Sequence, residues 1–462
     1  LPAKDRLPIS ADHPNSIFSL FAKTHRLNVS EEATSVCSRD LCTDERLDEP
    51  YTDRISSMSE DLGLVWLHVV SPPDIESDLA SVSENWGDFG GTGDAAVPTA
   101  AADDSVNTRS NLNAGRRVRF EDWIANIEKG RRPALNFKHT LLPHVPWQFL
   151  PSGRRYRLSA DDVVSGLSNQ SYEDQGQLDV LMQRHFLQTG FTDLLLRELW
   201  QHLKREGLWD DALIVVAADH GVAFPLGQRE RRRLSRSTVG EIAPIPLFMK
   251  APRQTRGRVD DAYVETIDIL PTIFDMLDLD PNVRMDGHSA FSPVVQRRRT
   301  LRMLERNTFK PITLSAAEFE RQKRAVRARN ARLFGSGRDG PLRLYRIGPH
   351  QELLGRTLSA GGGAGSVELF GARDYRDVDP RSDYLPTHVV GRIDGDGDTA
   401  RDIAVAVNGR VAAVGNTFRL VSGERGELFS VMVPESAFRS GRNLVDVFEV
   451  GPDGVPRRLG GA

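Results

Sequence analysis

Apolar and polar positions alternate in two different ways along this chain. From residue 16 to about 280, stretches of helical spacing are interrupted by short apolar runs, whereas beyond residue 335 the runs are short, β-rich and separated by turn residues. In the first regime, residues 16–25 place Phe18, Leu20 and Phe21 on one side of a predicted helix that runs into an extended segment at 26–29. A further apolar run, 63–70, is closed by Ser71-Pro72-Pro73. Residues 132–137 read as a strand entering the segment 138–147, where Pro143 and Pro146 forbid a regular helix. A long amphipathic helix is predicted over about 177–206 from Leu187, Phe191, Leu194, Leu195 and Leu203, with Gly207 stopping it. Residues 211–218 are apolar without alternation, as expected of a strand buried on both faces of a mostly parallel sheet, and 245–250 and 266–277 read as a further strand and helix.

This order predicts a doubly wound α/β domain over 1–295, with a mostly parallel sheet and helices on both faces. Residues 85–115 turn to Gly, Ala, Asp and Ser and read as a loop insertion. The Arg-rich segment 296–335 reads as a helical connector. Residues 336–462 read as a small β-sandwich-like domain in which Asn408-Gly409 marks a hairpin. A length of 462 residues fits two cores, since single cores stop growing at roughly 250–300 residues.

Charge narrows the partners. With 60 Lys and Arg against 64 Asp and Glu, the net charge of -4 gives the chain no overall bias toward nucleic acid, so anion binding has to be local. No apolar run reaches the roughly 18–20 residues of a membrane span, and no signal peptide is visible. The two cysteines, Cys37 and Cys42, can close a small disulfide loop in an oxidising compartment or stand as two reduced thiols; a zinc site built on them lacks further ligands nearby.

Candidate chemistry gathers where the predicted strands end. Asp219-His220-Gly221 follows the 211–218 strand, and ligands of open parallel sheets collect beyond carboxyl ends of strands. An anionic oxygen beside an imidazole nitrogen suits a divalent cation such as zinc or manganese; an Asp that caps the next element beside a merely polar His gives the same spacing. Lys138, His139 and His144 lie in or beside the proline-rigidified segment and can donate hydrogen bonds to non-bridging anionic oxygens, or form an incidental surface loop. Arg154, Arg155 and Tyr156 are candidate rim residues. The basic run 229–236 is either a second approach to the site or a solvated loop.

Taken in order, Leu142-Pro143-His144-Val145-Pro146-Trp147, Asp219-His220-Gly221, Glu265-Thr266-Ile267-Asp268-Ile269-Leu270-Pro271-Thr272 and Asp286-Gly287-His288-Ser289 resemble the motifs of sulfatase-like hydrolases and phosphoglycerol or phosphoethanolamine transferases of the alkaline phosphatase superfamily, in their bacterial membrane-anchored form. The resemblance covers residues 8–292. It implies a Thr, Ser or modified Cys nucleophile activated by a bound divalent metal ion (Mn, Ca, Mg or Zn), with Asp219 and His220 as metal ligands and His144 on the transferred group. By its register the nucleophile and the first metal carboxylate fall before Leu1. Cys37 is followed at the second and fourth positions by Arg39 and Leu41 instead of the Pro and Arg of a formylglycine motif, Thr34 and Ser35 lack a flanking pattern, and His288 stays unassigned.

The resemblance further implies an anionic ester substrate, with a glycolipid or envelope polymer as candidates, a membrane tether upstream of this chain, and an extracytoplasmic-facing domain at the cell membrane. The expected activity is hydrolysis of sulfate or phosphate esters. Its alternatives are phosphoglycerol or phosphoethanolamine transfer and a non-catalytic sulfatase-like binding protein.

Overall fold

A pair of parallel strands anchors the first part of the chain. In a computed structural model, which describes residues 9–42, 51–70, 115–156, 174–227, 232–305, 310–336, 340–358, 362–394, 400–419 and 427–460, helix α1 (Ile17–Phe21) is capped by Ser16 and delivers the chain into β1 (Arg26–Glu31). Strand β1 pairs in parallel with β2 (Ala134–His139). Side chains reinforce the register: Asn28 Nδ2 donates to Asn136 Oδ1 at 3.0 Å and Lys138 Nζ to Ser30 Oγ at 2.9 Å, each between directly aligned residues. Between the two strands in sequence come α2 (Tyr51–Val70), which contains the apolar run 63–70, and α3 (Arg116–Ala125). Nearly all of the expected insertion at 85–115, and residues 229–231 of the basic run, lie outside the described residues.

Helix α4 (Gln175–Arg205) starts where Asp174 Oδ1 accepts from Gln177 N at 2.8 Å, satisfying one of the orphan donors of its first turn. Leu178, Leu181, Leu187, Phe191, Leu195, Leu199 and Leu203 form its buried stripe, and Gly207, at φ 64°, terminates it. Then follow β3 (Ile214–Ala217), α5 (Val239–Ile242), β4 (Leu247–Lys250), α6 (Ile269–Met276) and α7 (Pro293–Gln296).

Among the described residues, the strands of this part form two separate pairs, β1–β2 parallel and β3–β4 antiparallel, and not one continuous doubly wound sheet. Strand β3 is partly exposed along its length where full burial was expected. An unbroken apolar run reports the burial of a strand only loosely and carries no information on the direction of its neighbour.

The connector also differs from expectation. Its first half is a hairpin, β5 (Thr300–Leu304) against β6 (Pro311–Ser315), and only its second half is helix, α8 (Ala316–Phe334), capped by Ser315 and ended at Gly335. Buried Leu301 between exposed Thr300 and Arg302 is a period of two, which the surrounding arginines conceal because Arg suits either structure.

Beyond it, β7 (Gly362–Leu369), β8 (His388–Ile393), β9 (Asp402–Val407), β10 (Arg410–Phe418), β11 (Glu427–Met432), β12 (Val445–Val450) and β13 (Pro456–Gly460) close into a barrel of order β10-β11-β8-β7-β13-β12-β9. The expected β-sandwich is thereby corrected: alternation is the same in both architectures, and it is the parallel pairing of β7 with β13 that shuts the cylinder. Asn408 and Gly409, at φ 53° and 80°, make the predicted hairpin between β9 and β10. Barrel and first part meet at residues 149–156, where Arg154 bonds Glu435 at 3.0 Å, Arg155 N donates to Asp383 O at 2.6 Å and Leu385 N donates to Arg155 O at 2.9 Å. Met432 of the barrel shares a core with Trp147, Leu150 and Tyr156.

Candidate functional site

The turn after β3 presents a carboxylate and an imidazole to each other. His220 Nε2 stands 3.5 Å from Asp219 Oδ2, while Asp219 Oδ1 accepts from His220 N at 2.8 Å. On the far side of the ring, Nδ1 lies 2.8 Å from Gly221 O. A carbonyl can only accept, so Nδ1 carries a proton, and Nε2 faces the Asp219 carboxylate. Anchoring one ring nitrogen on a backbone carbonyl and presenting the other beside a carboxylate is the arrangement in which a histidine ligates a metal. Both side chains are exposed, Asp219 at 77%. Gly221 is required by a close approach, not by a left-handed turn: a Cβ there would sit 2.2 Å from Glu241 O, and Gly221 N donates to Ile242 O at 2.7 Å. The turn is thus pinned to α5.

Among the described residues no group of three or more His, Cys, Asp or Glu is gathered to hold a metal ion. Asp219 and His220 offer one oxygen and one nitrogen donor, the types a divalent cation takes.

His144 sits in a loop held from three directions. The bonds Leu142-Pro143 and Val145-Pro146 are both cis. Arg116, the first residue of α3, donates from Nη1 to His144 O and from Nη2 to Val145 O, both at 2.6 Å, and Gln188 of α4 donates to His144 O at 2.8 Å. Arg184 of α4 and Tyr156 both bond the Trp147 carbonyl. His144 Nδ1 is 2.9 Å from Val145 O, which again places the proton on Nδ1. Trp147 then stacks its ring 5.7 Å from Phe224 and joins Phe224 and Val222 in one apolar core, so the His144 loop and the His220 turn rest on each other.

Lys138 and His139 are placed at the carboxyl end of β2, beside Glu31 and Glu32 at the end of β1. Lys138 is 5% exposed and its ammonium bonds Glu32 at 2.8 Å as well as Ser30. Burial opposes ionisation of Glu32, but Lys138 and Arg119, with the Leu141 N–H, hold its carboxyl below the usual range. His139 Nδ1 lies 3.1 Å from Thr34 Oγ1, whose own proton goes to Glu31 Oε1 at 2.6 Å. Glu31 also accepts from Cys37 N at 2.9 Å, and Cys37 and Cys42 are joined as a disulfide.

The remaining motif residues have structural duties. Asp268 is fully buried and bonds Arg298 at 2.6 Å, the backbone N–H of His288 at 2.9 Å and that of Glu265 at 2.8 Å. Gly287 lets this happen, since a Cβ would lie 2.1 Å from Ile267 O. The side chain of His288 is exposed. Arg154, Arg155 and Tyr156, expected at a rim, instead join the first part to the barrel. Of the residues that build the site, sequence reasoning passed over Arg116, Gln188 and Arg184. Arg116 is one of three arginines within 116–119 and nothing local distinguishes it. Adjacent carboxylates at a strand end, Glu31-Glu32, were a legible signal.

A strand-end turn carrying Asp219-His220 thus lies beside the His144 loop in an α/β protein. Residues 103–279 match the Sulfatase family model. Lipoteichoic acid synthase of Staphylococcus saprophyticus is 23% identical over 189 residues, 38% of this chain and 26% of that protein. The lipoteichoic acid synthase of Staphylococcus aureus USA300 is 22% identical over 191 residues, again 26% of its length. The multifunctional alkaline phosphatase superfamily protein PehA of Trinickia caryophylli is 33% identical over 105 residues, 21% of this chain and 19% of that protein. The chain thus spans about a quarter or less of the length of these curated relatives. The solved phosphonate monoester hydrolase of Silicibacter pomeroyi aligns with 50% of this chain and 61% of its own at 17% identity and a TM-score of 0.32. Among the described residues no helix is long and apolar enough to cross a membrane.

Proposed function

We propose that the intact protein is a metal-dependent hydrolase or transferase of sulfate or phosphate esters. One observation carries the reading: Asp219 Oδ2 and His220 Nε2 stand 3.5 Å apart with the far nitrogen of the ring committed to Gly221 O, two ligands already oriented for one cation. A divalent ion there supplies Lewis acidity to the ester and lowers the pKa of an oxygen nucleophile. The nucleophile is not assigned to a residue of this chain.

His144 serves the transferred group through Nε2, accepting a proton as neutral imidazole and donating to an anionic oxygen once protonated. His139, oriented by Thr34, takes a second anionic oxygen. Lys138 contributes its charge from behind, through Glu32. The disulfide and the resemblance to envelope enzymes together support an extracytoplasmic site at the cell membrane, an upstream tether and a glycolipid or envelope-polymer ester. The similarity to lipoteichoic acid synthases favours group transfer to an acceptor alcohol as the second reading.

The test is elemental analysis of the purified chain and its Asp219→Ala and His220→Ala variants, with turnover of sulfate and phosphate monoesters and diesters followed in the full-length protein. Stoichiometric metal that both variants lose, and turnover that falls with it, are expected. Turnover that persists in both variants would sink the metal role.

A further inference from the structure

The His144 loop is governed by a residue that no motif singles out. Arg116 is completely buried, at the first position of α3, and both terminal nitrogens of its guanidinium are spent on consecutive backbone carbonyls of that loop, His144 O and Val145 O, at 2.6 Å each. The two carbonyls have different second partners. His144 O also receives Gln188 Nε2 at 2.8 Å, whereas Val145 O also receives the Nδ1–H of His144 at 2.9 Å. The carbonyl that orients the imidazole is therefore itself held in place by Arg116.

We propose that Arg116 is the positioning residue of the site: by fixing the Val145 carbonyl it holds His144 in the Nδ1–H tautomer and aims Nε2 at the transferred group. The final clause rests on the proposed role of His144; the first stands independently of it. Planarity is what the geometry demands, since a fork of two parallel donors fits two successive carbonyls and an ammonium does not. Burial pushes Arg116 down to about 10, with Glu32 opposing and Arg119 adding, so the guanidinium stays cationic at neutral pH. Gln188 serves as the internal comparison, because it grips the same loop but not the carbonyl that meets the ring.

Full-length protein carrying 15N-labelled histidine decides the matter. In the unmodified protein His144 is expected to show the nitrogen shifts of an Nδ1–H imidazole; an Nε2–H signature would overturn the proposal without any variant. In Arg116→Lys that signature should become mixed, and in Gln188→Met it should persist. The rate constant for ester turnover should fall about 10- to 100-fold in Arg116→Lys with KM little changed. An unaltered tautomer and rate constant in Arg116→Lys, with only the melting temperature lowered, would make the arginine merely structural. His144→Gln separates the two ideas: unchanged turnover there removes His144 from the chemistry, while the tautomer result continues to judge Arg116.

Discussion

Trp147 and Phe224 meet with ring centroids 5.7 Å apart, and through this contact two loops separated by the whole of α4 and β3 rest on each other. Trp147 belongs to the His144 loop and Phe224 to the turn that begins with Asp219-His220. Both rings are buried, and the Trp147 indole N–H is satisfied by Pro143 O at 3.1 Å. Contact between the His144 loop and the Asp219-His220 turn thus runs through apolar packing.

Phe224→Ala removes that packing and leaves a cavity under both loops. A loss of about 3–5 kcal/mol is expected from large-to-small core substitutions, measured as a lower urea midpoint. Phe224→Leu should recover most of it.

Gly221→Ala tests the close approach of the Asp219-His220 turn to α5. The new methyl would lie 2.2 Å from Glu241 O and would push the Gly221 backbone away from Ile242 O. Overpacking of this kind costs about 1–3 kcal/mol, and under the proposed metal role loss of the carbonyl that orients His220 is expected to weaken metal binding about 10- to 100-fold. Calorimetric titration with Mn²⁺ or Zn²⁺ reads the second effect, and unchanged affinity would show that Gly221 does not orient the ring.

Acid should loosen the protein through Asp268 and Glu32. Burial opposes ionisation of Asp268, yet Arg298 and the backbone N–H groups of His288 and Glu265 hold its carboxyl below the ordinary value. Glu32 is depressed in the same sense by Lys138 and Arg119 against its burial. A carboxyl whose folded pKa lies below the unfolded one contributes stability that is fully present above the unfolded value, about 4, and that is lost as pH falls through the folded value. Asp268→Asn should flatten the acid limb of stability against pH below about 4–5 and cost about 3–5 kcal/mol at pH 7, because Arg298 is left without its buried partner. An acid limb identical to the parent's would exclude Asp268 from it.

Replacing Cys37 and Cys42 by Ser opens a very short loop. Chain entropy assigns such a closure about 2 kcal/mol, so the double variant should remain folded with a modestly lower unfolding midpoint. The loop itself should become more open to proteolysis near residues 37–42, with Glu31 still accepting from Cys37 N.

Periodicity and turn chemistry settled much locally. The 3.6-residue stripe of α4 with Gly207 after it, the Asn408-Gly409 hairpin and the extended 132–137 segment were all readable because their causes lie within a few residues. The motifs Asp219-His220 and His144 were legible for the same reason. What joined them was not. Arg116, Gln188 and Trp147 act on the site across 28–44 residues or through a ring contact, and a fully buried Arg has the same local context as an exposed one. Likewise the alternation in 362–460 determined strands, while closure into a barrel was decided only when β7 met β13 in parallel. Sequence by itself marked the candidate motifs and such segments as the 175–205 helix and the 402–418 hairpin, because those follow from side-chain type and spacing. Tertiary structure alone decided strand direction, barrel closure and the aim of each histidine, because these depend on hydrogen-bond partners and packing contacts supplied from distant parts of the chain.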